Sequence, residues 1–133
     1  MDSAINFRLK VLVVDDFATM RKIVRNILKQ IGFDNIVEAE DGNAALQILK
    51  NDSIGLVVTD WNMPNCSGLE LLQKIRGNPE TAAMPVLMVT AEGLKDNVVE
   101  AVKAGVNNYV VKPFTAEVLQ EKIEQVFKKL AGG

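Results

Sequence analysis

Three aspartates stand directly after short apolar runs of the sequence. Asp15 and Asp16 follow Val11–Val14, and Asp60 follows Leu56–Thr59. Carboxylates that lie close together repel one another and raise one another's pKa values, and a hard divalent cation relieves that repulsion. Mg²⁺ suits such a cluster best, because it takes oxygen ligands and usually keeps waters and a phosphate oxygen in its shell. One of the carboxylates could then attack phosphorus as a nucleophile and form an aspartyl phosphate.

A hydroxyl group and an ammonium group stand at equivalent places in the chain. Thr90 follows Val86–Val89, and Lys112 follows Asn108–Val111. Phosphoryl transfer depends mainly on positioning and on the neutralisation of charge. A metal ion, a lysine and a hydroxyl group around the phosphoryl oxygens suit that reaction, provided that the fold brings these side chains together.

The composition excludes several other kinds of protein. The chain has 133 residues, no histidine and a formal net charge of −2. Histidine-based acid–base catalysis, histidine metal ligands and a Ser-His-Asp triad are therefore excluded, and a strongly basic nucleic-acid-binding protein is not expected. The N-terminus lacks a signal-peptide pattern, and no apolar run is long enough to span a membrane. We expect a cytoplasmic protein without membrane insertion, in which the single cysteine, Cys66, is an incidental free thiol.

Short apolar runs alternate with helical patterns along the chain. The runs are rich in Val and Leu and nearly continuous, which is typical of strands buried on both faces of a parallel sheet. Gly32 and Gly105 are predicted to end helices, Thr115 is predicted to cap the last helix, and Glu40–Gly42 reads as a turn that starts a helix. The predicted strands are Lys10–Val14, Ile36–Ala39, Leu56–Thr59, Val86–Val89 and Asn108–Val111.

Strict alternation of strands and helices predicts a parallel sheet covered by helices on both faces, with right-handed crossovers. In such a sheet, ligands bind beyond the carboxyl ends of the strands. The five polar groups described above follow the first, third, fourth and fifth strands, so we expect them at one edge. The length fits a single domain, residues 1–133, with a core of about 8–130.

Four motifs of this chain resemble those of two-component receiver domains, and the resemblance spans the whole chain. The segments 15–26 and 109–114 resemble more narrowly the chemotaxis-type members of that family. The resemblance implies a doubly wound, flavodoxin-like α/β fold with five strands, five helices and strand order 2-1-3-4-5. The motifs are Val13-Val14-Asp15-Asp16, Asp60-Trp61-Asn62-Met63-Pro64, Val89-Thr90-Ala91 and Lys112-Pro113-Phe114.

The resemblance also implies a role for each carboxylate. Asp60 is expected to accept the phosphoryl group. Asp16, Asp60 and the backbone carbonyl of Asn62 are expected to hold Mg²⁺, which Asp15 would reach through a water molecule. Asn62 and Glu92 are expected to tune how fast water hydrolyses the phosphoryl group.

Further residues are implied to sense the phosphoryl group. Lys112 would contact it, and Thr90, followed by Ala91, would donate a hydrogen bond to one of its oxygens. Tyr109 would move inward when Thr90 is drawn to the phosphate, so that a pre-existing two-state equilibrium shifts. Trp61, beside the site, is expected to report metal binding by fluorescence.

The implied output surface lies on the fourth helix, the fifth strand and the fifth helix. Its expected partner is the flagellar motor switch protein, bound as a peptide segment in a groove. The phosphodonor would be a sensor histidine kinase of the chemotaxis type, and a phosphatase would be a further partner. The protein would act as a monomer and would turn over no external substrate. The output candidates are Lys95, Tyr109, Val111, Thr115 and Lys122.

Two other functions remain open from the residues. A phosphorelay receiver would pass its phosphoryl group to a histidine of another protein, but the segment Tyr109–Val111 favours the chemotaxis type. A hydrolase of the haloacid-dehalogenase type would also form an aspartyl phosphate with Mg²⁺. Such enzymes need a second aspartate two residues after the nucleophile, and Asn62 occupies that position.

Overall fold

Strands and helices alternate without exception in the described part of the chain. The computed structural model describes residues 5–63, 66–91 and 95–132, with the backbone alone for 95–97, 131 and 132. In chain order the elements are β1 Lys10–Val14, α1 Ala18–Ile31, β2 Asn35–Ala39, α2 Gly42–Asn51, β3 Leu56–Asp60, α3 Gly68–Gly77, β4 Val86–Thr90, α4 Lys95–Lys103, β5 Asn108–Val111 and α5 Ala116–Gly132.

The five strands form one parallel sheet in the order β2-β1-β3-β4-β5, which confirms the expected fold. The bounds of β1 and β5 are those predicted, whereas β2 begins one residue earlier, at Asn35, and β3 and β4 each extend one residue further, to Asp60 and Thr90. In the register of the sheet, Asp60 lies beside Val89, and Thr90 lies beside Val111. The carboxyl ends of the central strands therefore meet at one edge, as parallel pairing requires.

The sheet is buried on both faces. Successive strand residues point to opposite faces, so Val11 and Val13 pack in one cluster while Leu12 and Val14 pack in another. All four are at most 1% exposed. Helices α1 and α5 cover the first face, and α2 and α3 cover the second. None of the helices within the described residues is long and apolar enough to cross a membrane.

Four predicted helix boundaries are confirmed by backbone angles or capping contacts. Gly32 ends α1 with a φ of +136°, and Gly105 follows α4 with a φ of +90°; both angles favour glycine. Oγ1 of Thr115 accepts a hydrogen bond of 3.2 Å from the N–H three residues later, as an N-cap does. Oδ1 of Asp41 accepts one of 2.7 Å from the N–H of Ala44, which starts α2 at the predicted turn.

Arg76 joins three segments at the amino end of the sheet, opposite the aspartates. Its guanidinium donates hydrogen bonds to the carbonyl oxygens of Met84 (2.6 Å) and Gly105 (2.7 Å) and to Oδ1 of Asn107 (2.8 Å). The same Asn107 oxygen accepts from the N–H of Val86 at the start of β4. Burial lowers the pKa of Arg76. This arginine stabilises the fold at a distance from the polar edge.

Candidate functional site

The three predicted aspartates meet at the carboxyl edge of the sheet. Asp15, Asp16 and Asp60 each contribute one carboxylate oxygen to a cluster in which these atoms lie within 4.8 Å of one another. Asp15 is 3% exposed and Asp60 is 6% exposed. Oδ1 of Asp16 is buried and has no hydrogen-bond partner among the described residues. The expected carboxylate cluster is therefore present, and one of its oxygens lacks a donor within the described part of the chain.

Lys112 reaches the cluster from the end of β5. Its Nζ lies 3.0 Å from Oδ1 of Asp60 and 3.7 Å from Oδ2 of Asp15. The backbone N–H of Lys112 donates a 2.7 Å hydrogen bond to the carbonyl oxygen of Thr90, which extends the pairing of β5 with β4. The bond between Lys112 and Pro113 is cis. The lysine thus neutralises part of the negative charge of the cluster.

Burial and repulsion act together on Asp15. Burial is the largest cause that raises its pKa, and the neighbouring carboxylates of Asp60 and Asp16 raise it further. A hydrogen bond from the backbone N–H of Phe17 to Oδ1, 3.0 Å long, and the charge of Lys112 oppose this rise. The net result is a raised pKa, so Asp15 ionises less readily than an exposed aspartate.

The backbone around Asp60 is fixed by contacts with β4 and α3. The N–H of Trp61 donates to the carbonyl oxygen of Val89 (2.9 Å), and the N–H of Gly68 donates to the carbonyl oxygen of Trp61 (2.8 Å). A Cβ atom on Gly68 would collide with the carbonyl oxygen of Asp60 and would also crowd Met88. Glycine at this position lets the first turn of α3 lie directly against the segment that carries Asp60.

The predicted sensing residues lie next to this edge. Thr90 is 5% exposed at the end of β4, and Ala91 follows it at the surface. Tyr109 is half-buried in β5 and lines a narrow cavity together with Thr90 and Trp61. These three residues therefore border one narrow space between the strand ends and α4.

Asn62 and Glu92 are the two residues expected to tune hydrolysis, and Asn62 is among the described residues. Asn62 is exposed two residues after Asp60, so its backbone carbonyl lies in the loop that leaves β3. Glu92 and Pro64 lie outside the described residues.

A comparison with known sequences decides the family. Residues 11–124 match the response regulator receiver domain family. The chain belongs to this family. It is 52% identical over 124 residues to the chemotaxis protein CheY of Pseudomonas aeruginosa, which covers 93% of this chain and 100% of that protein. It is 50% identical over 130 residues to the chemotaxis protein CheY-3 of Vibrio cholerae, which covers 98% of this chain and 100% of that protein.

A solved structure agrees with the fold of this receiver. The chemotaxis response regulator CheY4 of Vibrio cholerae superposes with a TM-score of 0.82 at 30% identity, over 90% of this chain and 98% of that one. The family and the fold expected from the motifs are thus confirmed.

Of the expected output residues, Tyr109 and Val111 lie on β5, Lys122 lies on α5, and Thr115 directly precedes α5. Val111 is 37% exposed, and Thr115 is exposed. Nζ of Lys122 lies 5.5 Å from the centroid of the Tyr109 ring, a cation–π arrangement. The side chain of Lys95 lies outside the described residues. Sequence reasoning did not single out further exposed valines on α4 and α5, because apolar helix residues are usually taken as core; they are Val99, Val102 and Val118.

The free thiol of Cys66 is buried. It packs in the core cluster beneath α2 and α3, where a Cβ atom on Gly42 would collide with it. Burial is the largest cause that raises the pKa of the thiol. These contacts give Cys66 a packing role in the core.

Proposed function

We propose that this receiver is a chemotaxis-type response regulator that accepts a phosphoryl group on Asp60 from a histidine of a sensor kinase. The contact between Nζ of Lys112 and Oδ1 of Asp60, at 3.0 Å, carries the proposal. It places a buried carboxylate beside a fixed positive charge and two further carboxylates, at the edge of the sheet where ligands of such folds bind. The similarity to chemotaxis proteins supports the biological setting.

The proposed reaction is a displacement at phosphorus. A carboxylate oxygen of Asp60 attacks the phosphorus of the donor phosphohistidine, and a bond from oxygen to phosphorus forms as the bond from phosphorus to nitrogen breaks. The electron pair of that bond stays on the imidazole nitrogen, which ends as a neutral ring after taking up a proton. Lys112 offsets the charge of the phosphoryl oxygens, and the hydroxyl group of Thr90 donates a hydrogen bond to one of them.

The carboxylate cluster fits a Mg²⁺ ion. All its donors are oxygens, which this cation prefers, and the buried Oδ1 of Asp16 has no hydrogen-bond donor among the described residues. We assign Asp16, Asp60 and the backbone carbonyl of Asn62 as the ligands, with Asp15 acting through a water molecule. When bound, the ion would supply positive charge for the carboxylates and the phosphoryl oxygens. Asn62 and Glu92 would tune hydrolysis of the product.

The proposed output is a shift between two conformations. Thr90 and Tyr109 line one cavity, so a movement of Thr90 toward the phosphoryl group would free space for the Tyr109 ring. The surface of α4, β5 and α5 would then bind the flagellar motor switch protein through Lys95, Tyr109, Val111, Thr115 and Lys122. A phosphatase would end the signal. We further propose that residues 1–133 act as one cytoplasmic, monomeric receiver domain.

The proposal is tested by phosphorylation with acetyl phosphate and Mg²⁺. Wild-type protein should be labelled, Asp60→Asn should abolish the label, and excess chelator should stop labelling of the wild type. Asp34→Asn is the matched control, since it removes an exposed carboxylate from the loop between α1 and β2. Mass spectrometry after borohydride reduction would identify the labelled residue. Labelling of Asp60→Asn at the wild-type rate would refute the assignment of the phosphoacceptor.

A further inference from the structure

Arg21 connects the Asp15–Asp16 turn to the neighbouring strand β2. Its Nη1 donates a hydrogen bond of 2.7 Å to the backbone carbonyl oxygen of Asp15, and its Nε donates one of 3.2 Å to Oε1 of Glu38. Glu38 lies on β2, in register with Val13 of β1. The Arg21 side chain is only 17% exposed although it is charged. One guanidinium on the first turn of α1 thus bridges the end of β1 and the strand beside it.

The carbonyl that Arg21 holds belongs to the peptide unit between Asp15 and Asp16. A peptide unit is planar, so the direction of this carbonyl also fixes the position of the Cα atom of Asp16. The N–H of Asp15 donates to the carbonyl oxygen of Ala39 at 3.2 Å, and Oδ1 of Asp15 accepts from the N–H of Phe17. Arg21 adds the contact to the carbonyl, and a hydrogen bond from a charged donor is stronger than one between neutral groups.

We propose that Arg21 is a positioning residue that holds the carboxylate of Asp16 in place for Mg²⁺, an inference that rests on the proposed function. Arg21 acts through the backbone of Asp15. Removal of a group that orients a metal ligand without touching the metal typically weakens metal binding by about 10- to 100-fold. The turn needs the contact with Arg21 most before the metal binds. Three carboxylate oxygens then lie within 4.8 Å and repel one another, which would open the turn without this contact.

Arg21 could affect Mg²⁺ binding through its charge or through its contact with Asp15. The two effects predict opposite changes in Mg²⁺ affinity when Arg21 is replaced. Loss of a positive charge near an acidic cluster strengthens the attraction for a cation, so charge alone predicts tighter Mg²⁺ binding. Loss of the bond to Asp15 predicts weaker binding. Arg25 is the matched control on the same helix, since its Nη1 lies 3.5 Å from Oε2 of Glu38. Replacing either arginine by methionine removes one charge and one contact to Glu38, but only Arg21 contacts Asp15.

The experiment compares Mg²⁺ affinities measured by NMR titration of backbone amides in wild type, Arg21→Met and Arg25→Met. We expect Arg21→Met to bind Mg²⁺ about tenfold more weakly than wild type. Arg25→Met should bind it as tightly as wild type or slightly more tightly. Affinity in Arg21→Met equal to or above that in Arg25→Met would overturn the proposal.

A second measurement needs no metal. In excess chelator, hydrogen exchange at the amides of Asp16 and Phe17 should be faster in Arg21→Met than in wild type or Arg25→Met, because the turn has lost a restraint. Equal exchange in all three proteins would overturn the inference. If Arg21→Met does not fold, Arg21→Gln takes its place in both measurements. Failure of the wild type to bind Mg²⁺ would refute the proposed metal site instead, and the exchange comparison would still decide whether Arg21 orders the turn.

Discussion

Asp15 illustrates how a single residue of the site works against the stability of the fold. Its carboxyl group is 3% exposed and lies beside two further carboxylates. Burial and repulsion raise its pKa, and the hydrogen bond from Phe17 and the charge of Lys112 only reduce that rise. Residues whose pKa values are shifted by burial and by neighbouring charges are common at functional sites, where their charge binds a ligand.

Replacement of Asp15 by asparagine should stabilise the metal-free protein. At pH values below the reference pKa of 3.8, Asp15 is protonated in both the folded and the unfolded state. Its ionisation then causes no difference in stability between wild type and Asp15→Asn. As the pH rises from 3.8 through the raised pKa, the unfolded state ionises first and wild type loses stability, whereas Asp15→Asn does not. At pH 7 we expect Asp15→Asn to melt at a higher temperature than wild type, because burial and repulsion no longer act on a charged group. Thermal unfolding in chelator from pH 3 to pH 8 measures this difference.

Asp52→Asn is the control of opposite sign. A hydrogen bond from Lys10 lowers the pKa of this partly exposed aspartate, so its contribution to stability is present above pH 3.8 and is lost as the pH falls. The asparagine variant should therefore show no gain at pH 7. An Asp15→Asn protein that melts at or below the wild-type temperature at pH 7 would contradict the prediction.

The junction of β3 and α3 is the element that fixes Asp60. Ser67 caps α3 through a reciprocal pair of hydrogen bonds with Glu70, of 3.1 Å and 3.3 Å. Gly68 then places the first turn of the helix against the carbonyl oxygen of Asp60. The capping box defines where the helix starts, and the missing side chain of Gly68 defines how closely the helix approaches the strand.

Two glycines of the same helix should respond differently to alanine. Gly68→Ala introduces a Cβ atom into backbone atoms of Asp60 and Trp61, so we expect a destabilisation of about 1–3 kcal/mol and slower phosphorylation. Gly77→Ala, at the other end of α3, meets nothing within 4 Å and should be neutral or stabilise by about 0.4–1 kcal/mol. Urea unfolding and acetyl phosphate labelling measure the two effects. Equal stabilities of the two variants would show that the close approach at Gly68 does not constrain the junction.

On the scale of the whole molecule, one parallel sheet connects the site to the proposed output surface. Lys112 and Thr90 belong to the edge that holds the cluster, and β5 carries Tyr109 three residues before Lys112. Tyr109 lines a cavity together with Thr90, and Nζ of Lys122 lies 5.5 Å from the centroid of the Tyr109 ring. We propose that a change at Thr90 reaches α5 through the ring of Tyr109.

Binding of the flagellar motor switch protein should depend on the phosphoryl state and on Lys122. Beryllofluoride, a phosphoryl mimic, should increase the affinity of wild type for the switch protein, because it favours the binding conformation. Lys122→Ala should weaken the activated complex about fivefold, or ~1 kcal/mol, whereas Lys50→Ala on α2 should leave it unchanged. Isothermal titration with and without beryllofluoride measures these affinities. Equal affinities in both states of the wild type would argue against the proposed output.

Much of the fold could be predicted from particular residues. The run Val11–Val14 is buried on both faces of the sheet, so its continuous apolar character alone indicated a central parallel strand. Gly32 and Thr115 mark helix ends because their backbone and side-chain chemistry is local. The motif resemblance added the strand order, which periodicity alone does not decide.

The sequence by itself therefore determined the order of strands and helices, the family and the edge of the sheet at which Asp15, Asp60 and Lys112 would lie. The order of elements depends on local periodicity, the shared edge on the rule that parallel strands end together, and the family on the four motifs. Only the tertiary structure decided that Arg21 holds the carbonyl of Asp15 and that Gly68 lies against Asp60. Such contacts depend on strand register and on how closely a helix packs, and many different sequences satisfy the same pattern with other contacts.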